Sequence, residues 1–95
     1  MTYDWKKLEE DAILLKGVSH PLRIRIVELL IQLKELSVKD ICYHLKSEQS
    51  LTSHHLNTMK GLGLLQSRKE QQKQMYSLKS EKLTPIIDCI DKCTL

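Results

Sequence analysis

Four polar residues near the middle of the chain have the spacing of one helix face. At roughly 100° per residue, Ser50, Ser53, His54 and Asn57 fall within one arc, which Lys60 extends. The opposite side is mostly apolar and consists of Leu51, Thr52, Leu56, Met59 and Leu62. A merely solvated helix face normally carries Lys, Glu and Arg, whereas this one is almost uncharged. Because short hydrogen-bonding side chains suit base edges in a major groove, the pattern predicts a DNA-reading helix.

Charge is distributed unevenly along the 95 residues, whose net charge is +3. Residues 1–35 carry zero net charge and residues 80–95 carry −1, whereas residues 36–79 carry +4. The basic residues of this middle segment are Lys39, Lys46, Lys60, Arg68, Lys69, Lys73 and Lys79. A charge run alone is as often a solvated face, but beside the polar helix it favours a phosphate-facing surface.

The cysteines offer a second candidate chemistry. Cys89 and Cys93 are spaced i, i+4 beside Asp88 and Asp91, where they would form a soft-metal site, a redox site or a packed helix seam. Two thiols are too few for a tetrahedral metal site unless a second chain adds two more, so we favour packing and predict no metal and no cofactor. Cys42 is expected in the core, and His55 is expected to be a packed, hydrogen-bonded histidine.

Composition restricts the remaining classes of protein. The chain has the length of one domain, residues 1–95, and holds no run of about 18 apolar residues that would span a membrane. Its first residues lack the basic start and apolar block of a secretion signal, which predicts a cytoplasmic protein with reduced thiols. Without a phosphate-binding glycine loop or a cluster of histidine and carboxylate, an enzyme is not expected.

Five helices and a hairpin are predicted to position these residues. The first helix covers about 4–16, and the second, opened by Pro21, is central to the core because eight of residues 22–33 are apolar. Ser37 and Asp40 resemble a capping arrangement for a third helix, after a very short strand at 36–38. The turn at 46–48 then makes a helix-turn-helix with the polar helix.

Two candidate strands follow, at 64–69 and 74–78, and their polar tip is basic. The last segment, 80–93, is an amphipathic helix in which Pro85 either sits in the first turn or bends the helix. The apolar seams of the first and last helices are larger than so short a domain can obviously bury.

In this order the elements resemble the ArsR/SmtB family of bacterial winged-helix repressors, from residue 10 to residue 90. Residues 15–27, LKGVSHPLRIRIV, are similar to the family's "LKaLsdPtRlrIl" motif, and residues 50–65 are similar to its "SxxSHHLkxLxxxGLv" recognition helix and exit. The acidic lead-in at 8–12 is most similar to that of PagR-type members.

The resemblance implies a mainly α, α+β winged helix with a two-stranded wing, which binds an operator in double-stranded DNA as a homodimer. Together with the residue pattern, it gives as candidate DNA contacts Lys46, Gln49, Ser50, Ser53, His54, Asn57, Lys60, Arg68, Lys69 and Lys73. It implies a dimer interface on the first and last helices, with Trp5, Leu8, Ala12, Leu15, Leu83, Ile86, Ile87 and Ile90. Two recognition helices would then lie roughly 34–36 Å apart on an inverted repeat.

Three departures from the family pattern matter. The family's thiolate site on the third helix corresponds here to Ser37 and Lys39, and the last helix lacks the family's histidine ligands, so neither metal site is expected. At the positions of Leu51 and Thr52 the family usually has a small polar residue and then an apolar one, and here that order is reversed. Leu51 would therefore either contact a thymine methyl group or turn inward. The alternatives are a protein-interaction module on the same fold and a thiol- or metal-responsive repressor that uses Cys89 and Cys93.

Overall fold

The computed structural model describes residues 3–93, which form five helices and three strands. In chain order they are α1 (Trp5–Gly17), α2 (Pro21–Leu33), β1 (Glu35–Ser37), α3 (Val38–Leu45), α4 (Gln49–Gly61), β2 (Leu65–Glu70), β3 (Lys73–Leu78) and α5 (Leu83–Lys92). The predicted winged helix is confirmed. Among these residues no helix is both long enough and apolar enough to cross a membrane.

Side chains at the helix starts explain where the helices begin. The His20 Nδ1 accepts a hydrogen bond from the Leu22 amide at 3.1 Å, one residue after Pro21 opens α2. Ser37 Oγ accepts from the Asp40 amide at 3.2 Å, which confirms the predicted cap of α3. Pro85 lies in the first turn of α5, where a missing N–H removes no helical hydrogen bond. Asp4 Oδ1 likewise accepts from the Lys7 amide at 3.1 Å before α1, so local sequence chemistry sets four of the five helix starts among residues 3–93.

Helix α2 lies at the centre of the core, as its composition predicts. Ile26, Val27 and Leu30 are buried along it, and α3, α4, α5 and β3 all pack against it. The buried apolar side chains of those neighbours are Ile41, Leu56, Met59, Tyr76, Leu83 and Ile87. A central helix that touches most other elements fixes their relative positions.

The sheet is antiparallel with the strand order β1–β3–β2. The predicted hairpin is present, and β1 extends it to three strands by pairing Leu36 with Tyr76. Gln71 makes the tight tip without glycine by adopting a φ of 57°. Because neighbouring residues of a strand point to opposite faces, Tyr76 and its partner Ser67 face the core, and Arg68 faces away from it.

Two residues of the predicted dimer interface belong to the core of the chain itself. Leu83 and Ile87 are 0% and 2% exposed, so their assignment to the interface is wrong. The apolar face of α5 that contains these two residues packs on α2, because α5 returns to the core after the wing. The other predicted interface residues remain at least partly exposed, and they are Trp5, Leu8, Ala12, Leu15, Ile86 and Ile90.

Gly17 gives a test of how closely α1 approaches the exit of α4. A Cβ at Gly17 would overlap the side chain of Leu64, which is fully buried, so we expect Gly17→Ala to lower the free energy of unfolding by about 1–3 kcal/mol. Gly61→Ala is the matched control, because within residues 3–93 no atom from outside its own helix would contact the new Cβ. Urea denaturation of both variants measures the difference, and equal stability of Gly17→Ala and wild type would contradict this packing.

Candidate nucleic-acid interface

A three-residue turn, Lys46 to Glu48, joins α3 to α4 and makes the helix-turn-helix. Lys46 adopts the left-handed conformation, with φ 52°, and its amide donates to the Cys42 carbonyl. The Thr52 hydroxyl donates to the Glu48 carbonyl at 2.8 Å, so the Ser47 hydroxyl, 2.7 Å away, donates to Thr52. Because Thr52 is fully buried, these bonds attach the first turn of α4 to the loop that precedes it.

The first turn of α4 carries no acidic side chain, and the exposed Glu48 precedes it. Glu48 occupies the cap position but makes no side-chain capping hydrogen bond in the described structure, so the first amides of the helix have no side-chain acceptor. Residues 49–61 include no acidic side chain, and Lys60 is the single charged residue among them. Unfilled amides and the helix dipole together favour an anion at this end of the helix.

The outward face of α4 is the one that the sequence predicts. Leu56 and Met59 are fully buried on its inner side, and Ser53 is half-buried at the edge of the outer side. The exposed polar residues of the outer side are Gln49, Ser50, His54, Asn57 and Lys60. Leu51 is 47% exposed and therefore lies on this surface, which rules out the inward alternative.

Two hydrogen bonds fasten α4 to the core-facing side of the sheet. The Tyr76 hydroxyl donates to Asn57 Oδ1 at 3.2 Å, and Lys60 Nζ donates to Ser67 Oγ at 2.7 Å. Tyr76 was not among the site residues predicted from the sequence. The alternation of polar and apolar residues in β3 could have placed this tyrosine on the inner face. Asn57 therefore has a structural contact in addition to its predicted role.

Strand alternation also determines which basic side chains of the wing share a side with α4. Lys69 pairs with Gln74, two residues beyond Ser67 and Tyr76, so both lie on the side of the sheet that contacts α4. Gln74 is a further candidate contact, which was not predicted from the sequence. Arg68 lies on the opposite side.

Arg68, which was predicted to contact phosphate, is held by carboxylates in this structure, and its contact with DNA stays a prediction. Its guanidinium donates to both carboxylate oxygens of Glu35, at 2.8 and 2.6 Å, and to Glu70 at 2.8 Å. The Arg68 hydrogen bonds lower the pKa of the Glu35 carboxyl, so Glu35 stays ionised beside the guanidinium. Two carboxylates balance this charge and would repel a phosphate.

The lysines of the predicted surface differ from Arg68. Each is exposed, and within residues 3–93 none takes part in a salt bridge; the set consists of Lys46, Lys60, Lys69 and Lys73. Unpaired ammonium groups are available to a polyanion without first breaking an internal ion pair.

A buried histidine supports α4 from beneath. His55 is 6% exposed, its Nδ1 accepts from Arg23 Nε at 2.9 Å, and its ring lies 4.4 Å from that of His20. The expectation of a packed, hydrogen-bonded histidine is confirmed. Burial, reinforced by the nearby charges of His20, Arg23 and His54, lowers the pKa of His55. The neutral ring carries its proton on Nε2, which is buried and finds no acceptor among the described residues.

Cys89 and Cys93 are both exposed on this chain, so neither fills its core, and their packing in a helix seam between two chains stays a prediction. Cys42, which was expected in the core, is half-buried. Among residues 3–93 no three side chains of His, Cys, Asp or Glu are grouped to hold a metal ion.

The buried histidine predicts a pH dependence of stability. A folded-state pKa below the ordinary value of 6.5 means that the unfolded chain binds more protons between the two values. We therefore expect the free energy of unfolding to fall as the pH drops below 6.5 towards the folded-state pKa. In His55→Gln, whose amide oxygen can still accept from Arg23, this part of the pH dependence should disappear. Chemical denaturation across this range measures it.

The control for this experiment is His44→Gln, which removes an exposed histidine on α3. It should keep the pH dependence of the wild type. If His55→Gln also keeps it in full, the loss of stability in acid does not come from His55.

Comparison with known proteins identifies the family. The profile for "Bacterial regulatory protein, arsR family" matches residues 20–67, from the start of α2 into β2. The transcriptional repressor PagR of Bacillus anthracis is 38% identical over 88 residues, which cover 93% of this chain and 88% of PagR. Its crystal structure matches this fold with a TM-score of 0.84 over 92% of this chain and 99% of that one.

Two further solved structures are similar. HlyU of Vibrio cholerae, a transcriptional activator, matches with a TM-score of 0.82 and 31% identity over 92% of this chain and 94% of HlyU. The homodimeric winged helix-turn-helix DNA-binding domain of a possible ArsR-family regulator from Mycobacterium bovis matches with a TM-score of 0.78 and 25% identity, over 95% of this chain and 84% of that one. On these matches of motif, length and fold, the chain belongs to the ArsR family of bacterial regulatory proteins.

Proposed function

We propose that this protein is a homodimeric, sequence-specific DNA-binding transcriptional repressor that acts in the cytoplasm on an inverted repeat. The observation that carries the proposal is the surface of α4, whose outer face is polar, exposed and free of acidic residues, beside lysines that form no ion pair within residues 3–93. PagR, a repressor, and the Mycobacterium bovis domain, a DNA-binding homodimer, support it.

Base readout would come from the N-terminal half of α4. Ser50, Ser53 and His54 are short hydrogen-bonding side chains, and Gln49 extends this set to the first residue of the helix. The exposed Leu51 offers an apolar contact to a thymine methyl group. Asn57 uses its oxygen to accept from Tyr76, which leaves its NH₂ group to donate to a base or a phosphate.

Affinity for the DNA backbone would come from Lys46, Lys60, Lys69 and Lys73, together with the free amides at the start of α4. Each lysine that neutralises a phosphate releases counterions, so binding should weaken steeply as salt is added. These contacts position the protein but do not select a sequence.

The dimer would form through α1, with Ile86 and Ile90 of α5 at its edge. Helix α1 buries Leu14 and Gly17, whereas Trp5 and Leu15 are 69% and 55% exposed. Large apolar side chains that recur along one helix are more than the scattered exposure of a monomer surface. Two-fold symmetry through α1 would direct both α4 helices to successive turns of one face of the duplex.

A selected duplex tests base readout. We expect the wild type to select an inverted repeat from a random pool and to bind it with two chains per duplex. Ser53→Ala and His54→Ala should each lose about 1–3 kcal/mol on the selected duplex and little on random DNA, because each removes a base contact. Fluorescence anisotropy measures both affinities. Gln32→Ala, an exposed polar truncation on α2, is the control.

One outcome would contradict base readout, and another would contradict DNA binding altogether. If both variants weaken selected and random DNA equally, Ser53 and His54 contact the backbone rather than the bases. If the wild type binds no duplex even at low salt, the protein is not a DNA-binding regulator.

The wing provides a second test, because its two neighbouring basic residues have opposite environments. Lys69→Ala should weaken both DNAs similarly and make the salt slope shallower by about one unit per chain. The charge-neutral double variant Arg68→Met, Glu70→Gln should leave the slope unchanged, because Arg68 is already paired. An equal loss of slope in the double variant would restore Arg68 as a phosphate contact.

A further inference from the structure

A cleft of about 280 Å³ lies where three elements begin, at the starts of α3, α4 and β3. Its lining consists of Ser37, Val38, Lys39, Gln49, Lys73 and Gln74. Two of these residues, Val38 and Lys39, have no assigned contact in the surface described so far. The cleft is continuous with that surface, because Gln49 is also the first residue of the outer face of α4.

The chemistry of the lining is suited to an anion that carries an apolar part. Lys39 and Lys73 are exposed, and neither forms a salt bridge within the described residues. The amides of Gln49 and Gln74 add neutral donors, and the lining includes no carboxylate. Val38 and the methylene stems of the two lysines supply an apolar wall.

The nearest carboxylates, of Asp40, Glu48 and Glu70, lie outside the lining of the cleft. Glu70 pairs with Lys73 in the sheet register, but its carboxylate binds Arg68 at 2.8 Å. Asp40 lies with Glu70 and Lys73 around an adjoining depression, which shares Lys73 with the cleft. The positive ends of the α3 and α4 dipoles add to the potential of the two lysines.

We propose that this cleft holds one phosphodiester of the operator backbone, with its deoxyribose against Val38 and its phosphate between Lys39 and Lys73. The proposal rests on the proposed DNA-binding function and adds Lys39 to it. One phosphate held from α3 and from β3 would clamp the wing to the helix-turn-helix while α4 occupies the major groove. Lys39 and Lys73 would then act as a pair rather than as independent surface charges.

The test uses Lys39→Gln, Lys73→Gln and the double variant in the full chain, titrated against selected and random duplexes over a range of salt. Each single variant should bind both DNAs about 3- to 10-fold more weakly and lose about one unit of salt slope per chain. The double variant should lose less than the product of the single losses, because both lysines serve the same phosphate. Lys92→Gln, on α5, changes the net charge equally and should bind like the wild type.

Neutralising the phosphate itself gives an independent readout. When one methylphosphonate replaces the contacted phosphate, the affinity of the wild type for the duplex should fall. The double variant should bind the modified and the unmodified duplex equally well. If Lys39→Gln binds DNA as Lys92→Gln does, and the wild type binds DNA, the cleft does not hold the DNA backbone. The cleft assignment then fails, while the proposed DNA-binding function stands.

Inorganic phosphate distinguishes a backbone site from a site for a free anion. Phosphate should compete with DNA no better than chloride at the same ionic strength. Stronger competition, lost in the double variant, would overturn the assignment to DNA. If the wild type binds no DNA, the proposed function fails first, and the cleft assignment fails with it.

Discussion

The seating of α4 on the core is the constraint on which the rest of the structure depends. Leu56 and Met59 are fully buried, and rotating the helix about its axis would expose them at a cost of about 1.5–3 kcal/mol each. Polar contacts resist the same rotation at both ends, through Thr52 at the start and Lys60 at the end. Because the inner side is fixed in this way, the outer side presents the same polar residues without any ligand to order them.

The hydrogen bond between His55 and Arg23 also holds α4 in place, although it leaves one buried polar group unsatisfied. His55 and Arg23 join α4 to α2 through a hydrogen bond that only the neutral imidazole can accept. The remaining ring N–H is buried without a partner among residues 3–93, which costs about 1–3 kcal/mol. Arg23 is one of the few polar residues of α2. The histidine that it contacts is 32 residues away in the sequence, and no local pattern connects them.

The sequence predicted most of the features that local chemistry determines. Pro21, the Ser37 cap and the outer arc of α4 all depend on residues within a few positions of one another. Predictions that depended on distant partners were less secure. The stripe at Leu83 and Ile87 showed that one face of α5 is buried, but could not show whether α2 or a second chain covers it. Likewise, the charge of Arg68 was evident, whereas Glu35, its partner, becomes a neighbour only through the β1–β3–β2 order.

The lysines at the two ends of the molecule differ in whether they form ion pairs. At the α1–α5 end, Asp11 lies 2.9 Å from Lys7 and 3.9 Å from Lys82, so both lysines share an acidic partner. Around α4 and the tip of the wing, the lysines have no such partners in the described residues. A net charge of only +3 therefore understates the local field at the α4 surface. Since salt screens exposed charges beyond about 8 Å at physiological ionic strength, this local distribution, rather than the total, determines how the chain meets a polyanion.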